Sequence, residues 1–160
     1  MYNGQDNFAN KYTITEGDFV EGDEVNLEFT GSIKNVGEVE TSLEFKSAVD
    51  KNGINVHKYY NIEVTPGLLT VTQRPLNILT QTVSFQYNGR AHKYTDSAVY
   101  EEDPNTPLVD GESIFYSPAE LTNVDWKYIK DLTSVRIQNG TETTTNNYKI
   151  EFPGDNYIEI

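Results

Sequence analysis

The chain reads as all-β: two tandem small modules, β-sandwich or β-grasp-like, joined end to end. Three observations predict this. Apolar residues alternate with polar ones over short runs, glycine-based turn dipeptides punctuate those runs, and landmarks of the first half return in order in the second.

The alternation defines the strands. Val25-Leu27-Phe29, Leu43-Phe45, Tyr60-Ile62-Val64 and Leu69-Val71 form apolar rows in the first half. Val83-Phe85-Tyr87, Ile114-Tyr116, Trp126-Tyr128, Val135-Ile137, Tyr148-Ile150-Phe152 and Ile158-Ile160 do so in the second. Successive strand side chains point to opposite faces, so each row can cover a core while its neighbours meet water. Asn3-Gly4, Glu21-Gly22-Asp23, Asn52-Gly53, Pro66-Gly67, Asn88-Gly89, Asp110-Gly111, Asn139-Gly140 and Pro153-Gly154 supply the turns. Helical patterning is poor: Pro118-Ala119-Glu120-Leu121 supports one turn, with proline at its first position.

The recurrence defines the modules. Tyr2-Asn3-Gly4 returns as Tyr87-Asn88-Gly89, and Val20-Glu21-Gly22-Asp23-Glu24-Val25 as Val109-Asp110-Gly111-Glu112-Ser113-Ile114. Asn52-Gly53 returns as Asn139-Gly140, Tyr60-Asn61-Ile62-Glu63-Val64 as Tyr148-Lys149-Ile150-Glu151-Phe152, and Pro66-Gly67 as Pro153-Gly154. The five offsets stay between 85 and 89 residues, which a tandem duplication explains and chance does not. The predicted modules are residues 1–72 and 73–160. The second owns a leading stretch, Leu76 to Phe85, for which the first has no counterpart before Tyr2; either the first module lacks its opening strand or the segment is cut inside the array, and the first module is expected to be the less stable. Between Val71 and Leu76 the chain is short, polar and held extended by Pro75, so the joint is expected to be semi-rigid.

Composition narrows the function classes. The 160 residues carry 25 acidic and 12 basic side chains, a net charge of −13, which repels nucleic acid and anionic lipid. Cysteine is absent, which excludes disulfides and thiolate metal sites. No apolar run approaches the roughly 20 residues of a spanning helix, so no membrane insertion is expected in this segment. No signal peptide precedes Tyr2, and the expectation is a monomeric piece of a longer natural repeat array.

The run Pro66-Gly67-Leu68-Leu69-Thr70-Val71-Thr72-Gln73-Arg74-Pro75-Leu76, with Tyr60-Asn61-Ile62, Tyr87-Asn88-Gly89 and Tyr148-Lys149-Ile150, resembles the MBG/YDG-type tandem repeats of bacterial cell-surface adhesins. The resemblance extends over nearly the whole chain. It implies β-rich modules of a secreted, cell-surface or cell-wall protein, acting as a structural stalk or adhesive segment without catalysis. It carries over no active-site residue. At the end of the second module Gly154-Asp155-Asn156-Tyr157-Ile158-Glu159-Ile160 replaces the Gly-x-Leu-Thr-Val motif, which marks that copy as terminal or divergent.

Chemistry-bearing residues are few. His57 and His92, each followed by Lys, occupy non-equivalent repeat positions and have no nucleophile motif beside them. Glu101, Glu102, Asp103, Asp110 and Glu112 form a weak candidate Ca²⁺ site, since hard cations favour clustered oxygens, although no EF-hand spacing is present. Otherwise no metal or cofactor is expected. Trp126 and Tyr128, at alternate strand positions, would form a flat platform for the sugar rings of a host glycan, or contact an extracellular protein. The simpler reading packs both into the core, although the first module has Glu38-Val39-Glu40 thereabouts, which argues against a shared need for tryptophan. Lys11 or Lys58 with a nearby Asn is a candidate isopeptide pair without a compelling motif. The sequon Asn139-Gly140-Thr141 reads first as a turn.

Overall fold

The computed structural model describes Met1–Ile160. Strands hold 41% of the residues and short 3₁₀ turns 8%, with no α-helix, so the chain is all-β. It divides into two compact units: Gln5–Val71, and Thr72–Ile160 together with Met1–Gly4.

In the Gln5–Val71 unit the strands are β1 (Asn7–Phe8), β2 (Glu24–Thr30), β3 (Ser32–Ile33), β4 (Gly37–Val49) and β5 (Gly67–Val71). The long β4 is central: its second half pairs antiparallel with β2 and its first half antiparallel with β5. A bulge opposite Asn26 and Leu27 leaves Lys46 unpaired. β1 and β3 form a separate two-stranded ribbon.

The larger unit contains β6 (Arg74–Leu79), β7 (Val83–Ser84), β8 (His92–Lys93), β9 (Glu101–Glu102), β10 (Glu112–Tyr116), β11 (Glu120–Leu121), β12 (Trp126–Tyr128), β13 (Val135–Asn139), β14 (Glu142–Thr143), β15 (Tyr148–Glu151) and β16 (Tyr157–Glu159). Its sheets run β10-β13-β14, β11-β8, β12-β16-β7 and β15-β6-β9. The pairs β15–β6 and β16–β7 are parallel, so the first strands of the unit lie beside its last. Asn156 ties the same two ends, its amide donating to the Thr80 carbonyl at 2.9 Å.

Apart from the Leu27–Thr30 half of the β2–β4 ladder, the pairings of the smaller unit have counterparts in the larger. Glu38↔Thr70, Val39↔Leu69 and Glu40↔Leu68 match Trp126↔Glu159, Lys127↔Ile158 and Tyr128↔Tyr157. Val25↔Ala48 matches Ile114↔Ile137, and the bridge Val49↔Asn55 matches Gln138↔Thr143. The ribbon Phe8↔Ser32 matches Lys93↔Glu120. The pairings made by β6 and β7 alone have none. As a consequence Tyr60–Val64, expected as a strand, belongs to no ladder, whereas its counterpart Tyr148–Glu151 is β15, paired to β6. A backbone with strand dihedrals becomes a strand only when a neighbour accepts its hydrogen bonds.

Other expectations are corrected. Pro118-Ala119-Glu120-Leu121 forms no helical turn; Glu120–Leu121 is β11, held by pairing to β8, and tertiary pairing overrides the local proline signal. The row Val83-Phe85-Tyr87 shrinks to Val83–Ser84, with Tyr87 exposed. Met1–Gly4, assigned by repeat spacing to the first module, belongs with Thr72–Ile160. Tyr2 N–H donates to the Thr72 carbonyl at 2.8 Å, and its ring is fully buried, edge-on to Tyr148. A Cβ on Gly4, at φ 75°, would lie 2.5 Å from Val109 Cγ1, so only glycine permits this approach.

The core lies mainly in the larger unit. Leu76, Ile78, Ile129, Ile137 and Ile158 are fully or almost fully buried there, and Val83, Tyr94 and Ala98 pack with Ile129 and Ile158. In the Gln5–Val71 unit only Thr41, Ala48 and Val71 are buried. Full burial of a large aliphatic side chain contributes about 1.5–3 kcal/mol, so the absence of partners like Leu76 and Ile78 leaves the smaller unit weaker by several such increments. Hydrogen exchange on the intact chain should show Ala48 and Val71 amides opening at lower free energy than those of Ile78, Ile137 and Ile158. Equal or greater protection at Ala48 and Val71 contradicts this ordering.

Candidate functional site

β12 and β16 place four side chains on one outward face. Trp126 lies opposite Glu159 and Tyr128 opposite Tyr157, while the intervening Ile158 is fully buried on the other face. Trp126 is 55% exposed and Tyr128 46%, so neither enters the core, contrary to the simpler sequence reading. The reason is register: these positions correspond to Glu38 and Glu40 of the smaller unit, which are also exposed. The scaffold requires nothing apolar there, and the aromatic pair packs on itself and on Tyr157 at the surface.

The rings form a corner, not the flat platform expected. Trp126 meets Tyr128 at a centroid distance of 5.0 Å and 86° between planes, and Tyr157 at 6.2 Å and 72°. Trp126, Tyr128, Asp155, Tyr157 and Glu159 line an open hollow of about 300 Å³. Lys130 lies 5.1 Å above the Tyr128 ring and pairs with Asp155, whose carboxylate holds the ammonium pKa above its ordinary value. Ser84 Oγ donates to Glu159. The corner offers apolar ring faces bordered by hydrogen-bond acceptors, an arrangement suited to a polyhydroxylated ring. Tyr157, Asp155 and Glu159 did not emerge from the sequence because the apolar row there reads as Ile158-Ile160, and only the β12–β16 register brings its other face beside Trp126.

The five carboxylates of the candidate Ca²⁺ site are not assembled. No group of three or more His, Cys, Asp or Glu side chains is placed to hold a metal. Local hydrogen bonds occupy these groups instead. Asp103 accepts from Asn105 N–H and Asn105 Nδ2 (both 2.9 Å) and from Asn77 Nδ2, which lowers its pKa; Glu102 accepts from Leu108 N–H at 2.9 Å. Glu101 pairs by its backbone with Leu79 on β6, and Asp110 is exposed in the turn before β10.

Glu112 is engaged in a tyrosine clamp. The Val109 N–H donates to Tyr148 Oη at 2.9 Å, while the Tyr148 and Tyr2 hydroxyls both donate to Glu112, Tyr2 at 2.7 Å. Burial, then the bond to Glu112, pushes the Tyr2 pKa up to about 12 and raises that of Tyr148 as well. The smaller unit repeats the device: Val20 N–H donates to Tyr60 Oη at 3.0 Å, and Tyr60 Oη donates to Asp23 at 2.6 Å. Each clamp holds a turn with glycine at positive φ, Gly22 at 91° and Gly111 at 86°, closed by Asp23 N–H to Val20 and Glu112 N–H to Val109.

The remaining candidates are structural in their contacts. His57 stacks on Phe45 at 4.2 Å and His92 on Phe85 at 4.5 Å. Lys58 lies over the Tyr59 ring at 4.9 Å. Asn139 closes a hairpin, pairing with Glu142 across Gly140-Thr141. Comparison with protein-family models, with curated proteins and with solved structures gives no match.

The clamp generates two expectations. Tyr148→Phe leaves the Val109 N–H without its partner and Glu112 with the Tyr2 hydroxyl alone, and should cost roughly 1–3 kcal/mol in denaturant unfolding of the intact chain. A tyrosine whose folded pKa exceeds its ordinary 10.0 stabilises fully below that value and loses the contribution as pH rises toward about 12. Thermal midpoints should therefore fall between about pH 9 and pH 11.5, and Tyr2→Phe should flatten the fall; an unchanged slope would count against the clamp.

Proposed function

We propose that this chain is a non-catalytic adhesive segment of a bacterial cell-surface protein, of the MBG/YDG repeat type, and that its larger unit binds carbohydrate at the Trp126-Tyr128-Tyr157 corner. One observation carries the reading: at two equivalent, outward strand positions the smaller unit has Glu38 and Glu40, and the larger has Trp126 and Tyr128. Exposed aromatics at positions the scaffold leaves free are the expected mark of a contact surface. Trp126 and Tyr157 present apolar faces to the C–H face of a sugar, and Asp155 and Glu159 accept from its hydroxyls. Rings at right angles favour a terminal sugar residue over a flat crystalline chain. The acidic surface turns away anionic partners and favours neutral or cationic ones.

The second reading, a stalk that spaces a distal binding region from the cell wall, is favoured by the repetition of the pairing pattern and of the clamp in both units. It requires no ligand at the corner.

A glycan array separates the two. Binding is expected for the native chain and is expected to fall at least tenfold in Trp126→Ala, with the unfolding free energy within about 0.5 kcal/mol of the native value because the side chain is exposed. No binding to any neutral glycan, or binding that survives Trp126→Ala and Tyr157→Ala, supports the stalk.

A further inference from the structure

We propose that the Gln5–Val71 unit is a strand acceptor: its open cleft takes an extended polypeptide segment of the β6 type, supplied from outside the unit, by parallel pairing with Tyr60–Glu63. The reading is independent of the sugar corner.

The cleft has a volume of about 380 Å³ and is bordered by Tyr12, Ile14, Phe19, Leu27, Phe29 and Ile62. None of these residues is buried, although they are the apolar residues of the unit's strands and neighbouring segments. The larger unit shows what fills the equivalent place. There Tyr148, Lys149, Ile150 and Glu151 pair in parallel with Arg74, Pro75, Leu76 and Asn77, and Leu76 and Ile78 are fully buried. Tyr60, Asn61, Ile62 and Glu63 are the counterparts, each 88 residues earlier, and no strand pairs with them. Only the Tyr60 N–H in this row has a backbone partner, the His57 carbonyl at 3.2 Å; backbone outside any ladder beside an uncovered apolar cleft is the arrangement that β-strand addition uses, the ladder supplying affinity and the alternate side chains filling pockets.

Polar contacts define the occupant further. In the larger unit Arg74 Nε donates to the Pro107 carbonyl at 2.9 Å, and Gln73 Nε2 donates to the carbonyls of Asn146 (3.1 Å) and Tyr148 (3.2 Å). By the repeat spacing the corresponding carbonyls are those of Asp18, Lys58 and Tyr60. Glu16, Asp18 and Glu63 line the cleft, so a cationic residue at the head of the segment meets three carboxylates. The segment that fits is therefore Gln-Arg-Pro-Leu-x-Ile in character: polar and basic first, then apolar at alternate positions.

The test titrates the intact, isotope-labelled chain with the nine-residue peptide Thr72–Thr80, TQRPLNILT, to about 1 mM. Protection of the amides at and beside Tyr60–Glu63 should rise at least tenfold. A peptide carrying Leu76→Asp and Ile78→Asp should bind at least tenfold more weakly, and one carrying Arg74→Glu should bind more weakly with a smaller salt dependence. No protection at Tyr60–Glu63, equal binding of the doubly substituted peptide, or protection confined to Tyr148–Glu151 would overturn the proposal. Sedimentation without peptide tests the other occupant: a concentration-dependent dimer that protects Tyr60–Glu63 unaided assigns the cleft to a second copy and overturns the assignment to an outside segment.

Discussion

The tyrosine hydroxyl at the head of the penultimate strand segment is the constraint on which each unit's architecture rests. One oxygen accepts the free N–H of a turn residue (Val109 or Val20) and gives its proton to a carboxylate one turn further on (Glu112 or Asp23). Glu112 opens β10 and Asp23 directly precedes β2, and the partner strand of each is central to its sheet. The clamp thus couples a local glycine turn to chain some 40 residues away, 39 in one unit and 40 in the other. In the larger unit partial burial strengthens the arrangement, because a hydroxyl–carboxylate bond partly shielded from water competes less with solvent. Tyr2 adds a second hydroxyl to Glu112, which is why four residues distant in sequence are held there.

Around that constraint the outward positions are free to differ. Cross-strand register, and not residue identity, is what the two units share at Glu38-Val39-Glu40 and Trp126-Lys127-Tyr128. Acids at these positions leave a solvated face; aromatics create a hollow. The same pairing pattern can therefore carry a solvated acidic face or an aromatic hollow, as expected when surface positions are set on a fold rather than dictated by it.

The inward side differs for another reason. β6 and β7 contribute Leu76, Ile78 and Val83 to the core, and they provide the parallel partners of β15 and β16. Where such strands are present, the last strand segments are ordered ladders and the apolar rows are covered. Where they are absent, the same rows line a cleft and Tyr60–Val64 carries no ladder. A single pair of strands thus decides burial, pairing and stability together, because sheet hydrogen bonds and face coverage are supplied by the same neighbour.

The sequence by itself determined the all-β class, because period-two rows and glycine turns are local and need no partner to be read. Repeat spacing likewise set Tyr60 beside Tyr148, and the Val20–Asp23 turn beside the Val109–Glu112 turn, as equivalent positions. The tertiary structure alone decided three things. It turned Trp126 and Tyr128 outward and joined them to Tyr157, since facing depends on which strand pairs with which residue opposite. It dispersed the carboxylates from Glu101 to Glu112, since local N–H and hydroxyl donors engage Glu102, Asp103 and Glu112 before any cation is considered. It moved Met1–Gly4 out of the repeat to which their motif assigned them, since burial of one tyrosine ring outweighs a sequence correspondence. Periodicity is a property of one strand; facing, clustering and burial are properties of pairs.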